Sequence, residues 1–127
     1  METVLIDTNI LVQYIARTDA KSCLLISEFI KKYDKFVITE NVFIEALFTL
    51  QNKVNMTRDQ IDEEIFCLME NSLFVFNISF DVYLFLNLYT HYPSLDVVDV
   101  YLLIQSVNER VVTLDMDLDK KIKTVKV

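Results

Sequence analysis

The chain has 127 residues, a formal net charge of −7 and a hydrophobic fraction of 53%. That length fits one domain, 1–127, with ample material for a core. There is no glycine at all, which excludes phosphate loops and dinucleotide fingerprints, where backbone must approach phosphate closely. Charged residues interrupt every apolar run before it could span a bilayer. The N-terminus carries Glu2 and Asp7 instead of a basic region, so no secretory signal is expected and the protein reads as cytoplasmic, with no membrane partner.

Strands and helices alternate along the chain. "VLI" (4–6) reads as a short buried strand, with Asp7 at its C-terminal end and Thr8 or Asn9 placed to cap a helix over 10–15. A second helical pattern covers 20–32. "KFVIT" (35–39) is the second strand, and "NVFIEALFTLQNK" is a helix with Thr39 or Asn41 near its cap. "TRDQIDEEIFCLMEN" is a helix capped by Thr57, with acids in its first turn. "LFVFNI" is the third strand. A helix runs from Phe80 to Tyr89, with Ser79 or Asp81 near its cap. After Pro93, Ser94 is placed to cap "LDVVDVYLLIQSV". "RVVTLD" (110–115) reads as a fourth strand and "TVKV" (124–127) as a short last one. This order implies an α/β fold, a three-layer α/β/α sandwich around a central, mostly parallel sheet.

Acids in apolar surroundings carry the chemistry. Glu45 interrupts "NVFIEALFTL", and Asp96 and Asp99 interrupt "LDVVDVYLLI". A helix apolar on every side is buried, and an ionised carboxylate inside one must be paired, hydrogen-bonded or metal-bound. Neither stretch contains Arg or Lys. Asp7 and Asp115 each end a predicted strand, where ligands gather in parallel α/β sheets. If Asp7, Glu45, Asp99 and Asp115 converge, their mutual repulsion calls for a hard cation such as Mg²⁺ or Mn²⁺. Asp117 and Asp119 compete with Asp115 in "TLDMDLD"; Asp115 is favoured because it directly ends the strand.

The other chemical residues have plainer readings. Cys23 and Cys67 are expected to be buried, reduced thiols, and no paired Cys or His spacing suggests a zinc site. His91, the single histidine, lies in "YTHYPS" and argues against paired-His cleavage of RNA. Lys31, Lys32 and Lys35, and Lys120, Lys121, Lys123 and Lys126, form two basic groups that are either solvated surface or a hold on an RNA backbone.

The segments "LIDTNILVQYI", "ITENVFIEALFTLQNKVNMTRDQI" and "SLDVVDVYLLIQSVNERVVTLDMDLDKK" together resemble the PIN domain family, in particular the VapC-type toxins of toxin–antitoxin pairs. The likeness covers nearly the whole chain. It implies a Mg²⁺- or Mn²⁺-dependent endoribonuclease, an RNA substrate, a small antitoxin partner and a homodimer. Carried over by position, Asp7, Glu45, Asp99 and Asp115 match the catalytic, metal-binding acids. Asp117 matches a frequent additional metal-binding acid, and Asp96 stands as an outer acid or a helix-start residue. The family's usual glycine before the last strand is replaced here by "NER". Three other readings compete with it. A haloacid-dehalogenase-like phosphatase wants an acid at the position of Asn9. A receiver module wants paired acids after the first strand and an Asp where Asn77 stands. A PIN-like module without activity would serve only for binding.

Overall fold

A computed structural model describes residues 2–126. In chain order the elements are β1 (Thr3–Leu5), α1 (Thr8–Ala16), α2 (Ala20–Lys32), β2 (Lys35–Thr39), α3 (Glu40–Asn52), α4 (Arg58–Glu70), β3 (Phe74–Asn77), α5 (Val82–His91), α6 (Val97–Gln105) and α7 (Met116–Lys126). The protein is therefore α/β, with seven helices and one three-stranded parallel sheet among the described residues. No helix among them is long and apolar enough to cross a membrane. The chain forms two compact units, Met1–Ser79 and Phe80–Val127.

The first unit holds the sheet, in the order β1-β2-β3 with β2 central. Val4 pairs with Phe36 and Leu5 with Val37; Phe36 pairs with Phe74 and Ile38 with Phe76. Parallel neighbours need crossover connections, which the intervening helices supply. Phe36 and Ile38 alternate along β2 on its buried face. Leu11 and Val12 of α1, Phe43, Ala46, Leu47 and Leu50 of α3, and Ile61, Ile65 and Leu68 of α4 complete this core. Tyr14 meets Phe74 edge-to-face at 4.8 Å, and Asn71 donates to its hydroxyl at 3.4 Å. Thr57 and Gln60 form the reciprocal capping box at the start of α4.

The second unit consists of α5, α6 and α7. Its buried residues include Phe85, Tyr89, Leu95, Val97, Val100, Leu103 and Leu118. Phe80 stacks on Phe85 at 5.2 Å and meets Tyr101 edge-to-face at 5.9 Å.

Several expectations need correction. Residues 110–115 form no strand; the segment is irregular and takes part in no sheet ladder. In place of a last strand, Thr124–Lys126 belongs to α7, a helix whose i,i+4 pairs Asp117–Lys121 and Asp119–Lys123 favour that conformation; Val127 lies outside the described residues. The two cysteines are not buried: Cys23 is half-buried and Cys67 exposed, both free thiols. Where glycine would usually reverse the chain, Arg17 closes α1 in the left-handed region (φ 53°), and Asn55 adopts φ 63° in the loop before α4.

Two substitutions probe this fold by urea denaturation. Leu47→Ala, in the fully buried face of α3, lowers the unfolding free energy by about 2–5 kcal/mol. Arg17→Gly raises it by about 1 kcal/mol, because it relieves a left-handed non-glycine residue.

Candidate functional site

The first unit places Asp7 between β1 and α1. It is an exposed residue with extended backbone (φ −88°, ψ 174°), and its Oδ1 accepts from the Ile10 amide at 3.0 Å. Asp7 is thus the N-cap of α1, the role expected of Thr8 or Asn9. Thr8 instead donates its hydroxyl to Glu45 Oε2 at 2.9 Å, linking the start of α1 to the middle of α3. Thr8 thus follows Asp7 along the chain and reaches Glu45 through its hydroxyl, where α1 packs against α3.

Glu45 is exposed, as is Phe48, so α3 is not apolar-buried on every side. Its core contacts run along Phe43, Ala46, Leu47 and Leu50, a single helical stripe, and Glu45 falls off it. The premise that Glu45 sits inside a buried helix is therefore corrected: water, not burial, surrounds most of this carboxylate.

In the second unit Asp96, not Ser94, caps α6, its Oδ1 accepting from the Asp99 amide at 2.8 Å. Asp99 is half-buried in the first turn, with exposed Val98 beside it, so α6 too is only partly buried. Burial is the main cause that pushes the Asp99 carboxyl above the ordinary aspartate range; the charges of Asp96 and Asp115 push the same way. Asp115 Oδ1 accepts from the amides of Asp117 at 3.0 Å and Leu118 at 3.1 Å, so it caps α7. Its own amide bonds Thr113 Oγ1 at 3.0 Å.

Asp117 is differently occupied. Its Oδ1 takes Lys121 Nζ at 2.5 Å and its Oδ2 takes Ser94 Oγ at 2.8 Å, which together hold its carboxyl below the usual range. Lys121 and Lys123 are thus paired on their own helix, and Lys31 pairs with Glu28 at 3.9 Å. His91 ends α5, exposed, with its ring edge-to-face on Tyr92.

Among the described residues no ion pair reaches Asp7, Glu45, Asp99 or Asp115. In neither unit do three or more His, Cys, Asp or Glu residues gather around a point where one ion could sit. The donors each unit does bring together are carboxylate and hydroxyl oxygens, which suit Mg²⁺ or Mn²⁺ and not a soft metal. The Thr8–Glu45 bond and the capping roles of Asp96 and Asp115 are the features that residue spacing does not reveal. Comparison of the chain with family models, with curated proteins and with solved structures yields no match.

The raised Asp99 carboxyl gives a signed expectation. A carboxyl whose folded value lies above its unfolded one stabilises fully below the unfolded value, and that contribution disappears as pH rises through the folded one. Asp99→Asn therefore raises the melting temperature of the metal-free protein by a few degrees at neutral pH. The gain over wild type shrinks towards zero once both are acidified below the ordinary aspartate range; calorimetry across pH reads both.

Proposed function

We propose that the protein is a Mg²⁺- or Mn²⁺-dependent endoribonuclease with a PIN-like three-layer α/β/α fold. The single observation that carries this reading is the charge balance of four acids. Asp7 and Glu45 flank Thr8, and Asp99 and Asp115 repel one another; no lysine or arginine among the described residues neutralises any of the four. Their oxygens are therefore open to a divalent cation, the ligand type that Mg²⁺ and Mn²⁺ prefer.

In this reading Asp7 and Glu45 in the first unit, and Asp99 and Asp115 in the second, would be metal-binding carboxylates, and Thr8 keeps Glu45 oriented. Asp117, already satisfied by Lys121 and Ser94, orients the start of α7 behind Asp115. Held by these carboxylates, a divalent ion would supply an activated water and charge stabilisation at the scissile phosphate and leaving oxygen. His91, exposed at the end of α5, has no part in proton transfer. The resemblance of the sequence to VapC-type toxins extends the proposal to a cytoplasmic toxin silenced by a small antitoxin and acting as a homodimer.

The test is cleavage of RNA by purified protein in Mg²⁺ or Mn²⁺. Activity is expected to vanish in EDTA and to fall at least about 100-fold in Asp7→Asn and in Asp99→Asn, the scale of losing one charge-stabilising group in a reaction centre. Cleavage that persists in EDTA and in both variants contradicts the proposal.

A further inference from the structure

Lys121 and Lys123 each pair with an aspartate one helical turn back on α7, Asp117 and Asp119. The two pairs differ in their surroundings. Lys123 is 76% exposed, and an ion pair so open to water contributes little. Lys121 is only 21% exposed, and its ammonium lies 5.3 Å from the centre of the Tyr92 ring, a cation–π contact. Its partner is held on both sides: Asp117 Oδ1 takes Lys121 Nζ at 2.5 Å, and Oδ2 takes Ser94 Oγ at 2.8 Å.

Tyr92 and Ser94 belong to the connection between α5 and α6. That connection is itself fixed, since the Leu95 amide donates to the Tyr92 carbonyl at 3.0 Å and Leu95 is buried. Lys121 is thus seated within the second unit by an aromatic ring and a carboxylate whose other oxygen a serine holds. Asp115, two residues before Asp117, has no such counter-ion. Its Oδ1 accepts from the amides of Asp117 and Leu118, and no ion pair reaches it among the described residues. Two aspartates at one helix start therefore differ in charge balance.

We infer that Lys121 is a built-in counter-ion that withholds Asp117 from a divalent cation, leaving Asp99 and Asp115 as the metal-binding carboxylates of the second unit. The inference rests on the proposed function for the role of those two acids. At Asp117 an ammonium and a divalent ion compete for one carboxylate. The ammonium is already hydrogen-bonded, shielded from most of the water and seated on an aromatic ring, and while it stays it repels a second cation. The position that the resemblance gives to an additional metal-binding acid is therefore occupied, and removing the lysine charge opens it.

Mn²⁺ titration of the full chain, followed by electron paramagnetic resonance, tests this without reference to activity. Lys121→Met keeps an apolar stem beside Tyr92 and removes the charge. It is expected to bind Mn²⁺ about tenfold more tightly than wild type, the scale of removing one nearby positive charge. Adding Asp117→Asn to Lys121→Met returns binding to the wild-type level, which ties the gain to that carboxylate. Lys121→Arg, with the charge kept, binds as wild type does. Should Lys121→Met fail to fold, Lys121→Gln, which keeps a hydrogen-bond donor and loses the charge, carries the same expectation. A purely structural role for Lys121 has the opposite sign, because a loosened α7 weakens Mn²⁺ binding. Unchanged or weaker binding in the uncharged variants, beside a wild type that binds, overturns the inference alone. Absence of saturable binding in wild type and variants together overturns the metal-dependent reading, and the inference with it.

Discussion

The central strand β2 is the constraint on which the first unit depends. Among the described residues it is the only strand with neighbours on both sides, and its Phe36 and Ile38 are almost completely withdrawn from water. Because both neighbours run parallel to it, the chain must leave each strand end, cross over as helix and return. Every such exit is a place where a strand stops and a helix begins, and there the helix amides need an acceptor. Asp7 fills that need at the end of β1. Its position is thus fixed by the sheet before any question of metal arises.

Helix capping explains much of the acidity of this chain. Asp7, Asp19, Asp81 and Asp96 each accept from the amide three residues on, at the start of α1, α2, α5 and α6, and Asp115 does so for α7. A carboxylate at a helix N-terminus is stabilised by the oriented amides, and this contribution is local and independent of function. Beyond capping, the acids differ in their company. Asp19 answers to Ser22 as well, and Asp117 to Lys121 and Ser94. Glu45 caps nothing, and its partner is the hydroxyl of Thr8 on another helix. Asp99 sits half-buried beside two further acids. Capping leaves one carboxylate oxygen of Asp7 and Asp115 available, so the structural and the proposed chemical roles are compatible at the same residue.

Much of this was legible in the residues. Periodicity located β1, β2, β3 and the helices between them, and Thr57 announced the start of α4 as its N-cap, to which the structure adds Gln60 as the reciprocal half of a capping box. Caps were harder to place. An aspartate outcompeted Thr8 and Ser94 because a charged acceptor interacts more strongly with the helix amides. The burial of α3 and α6 was overestimated, since an apolar residue such as Phe48 or Val98 can lie exposed and composition does not reveal it. The segment 110–115 has strand composition and no strand, because a strand exists only with a neighbour, and pairing is not a local property. The absence of glycine did not prevent tight chain reversals: Arg17 and Asn55 take the left-handed conformation instead.

The central proposal is that carboxylate oxygens of this chain bind a hard divalent ion, and Mn²⁺ binding followed by electron paramagnetic resonance tests it most directly. Saturable binding in proportion to the chain is expected for the wild type, lost when Glu45→Gln removes a charge that no helix cap requires. No saturable binding, or binding indifferent to that substitution, would contradict it.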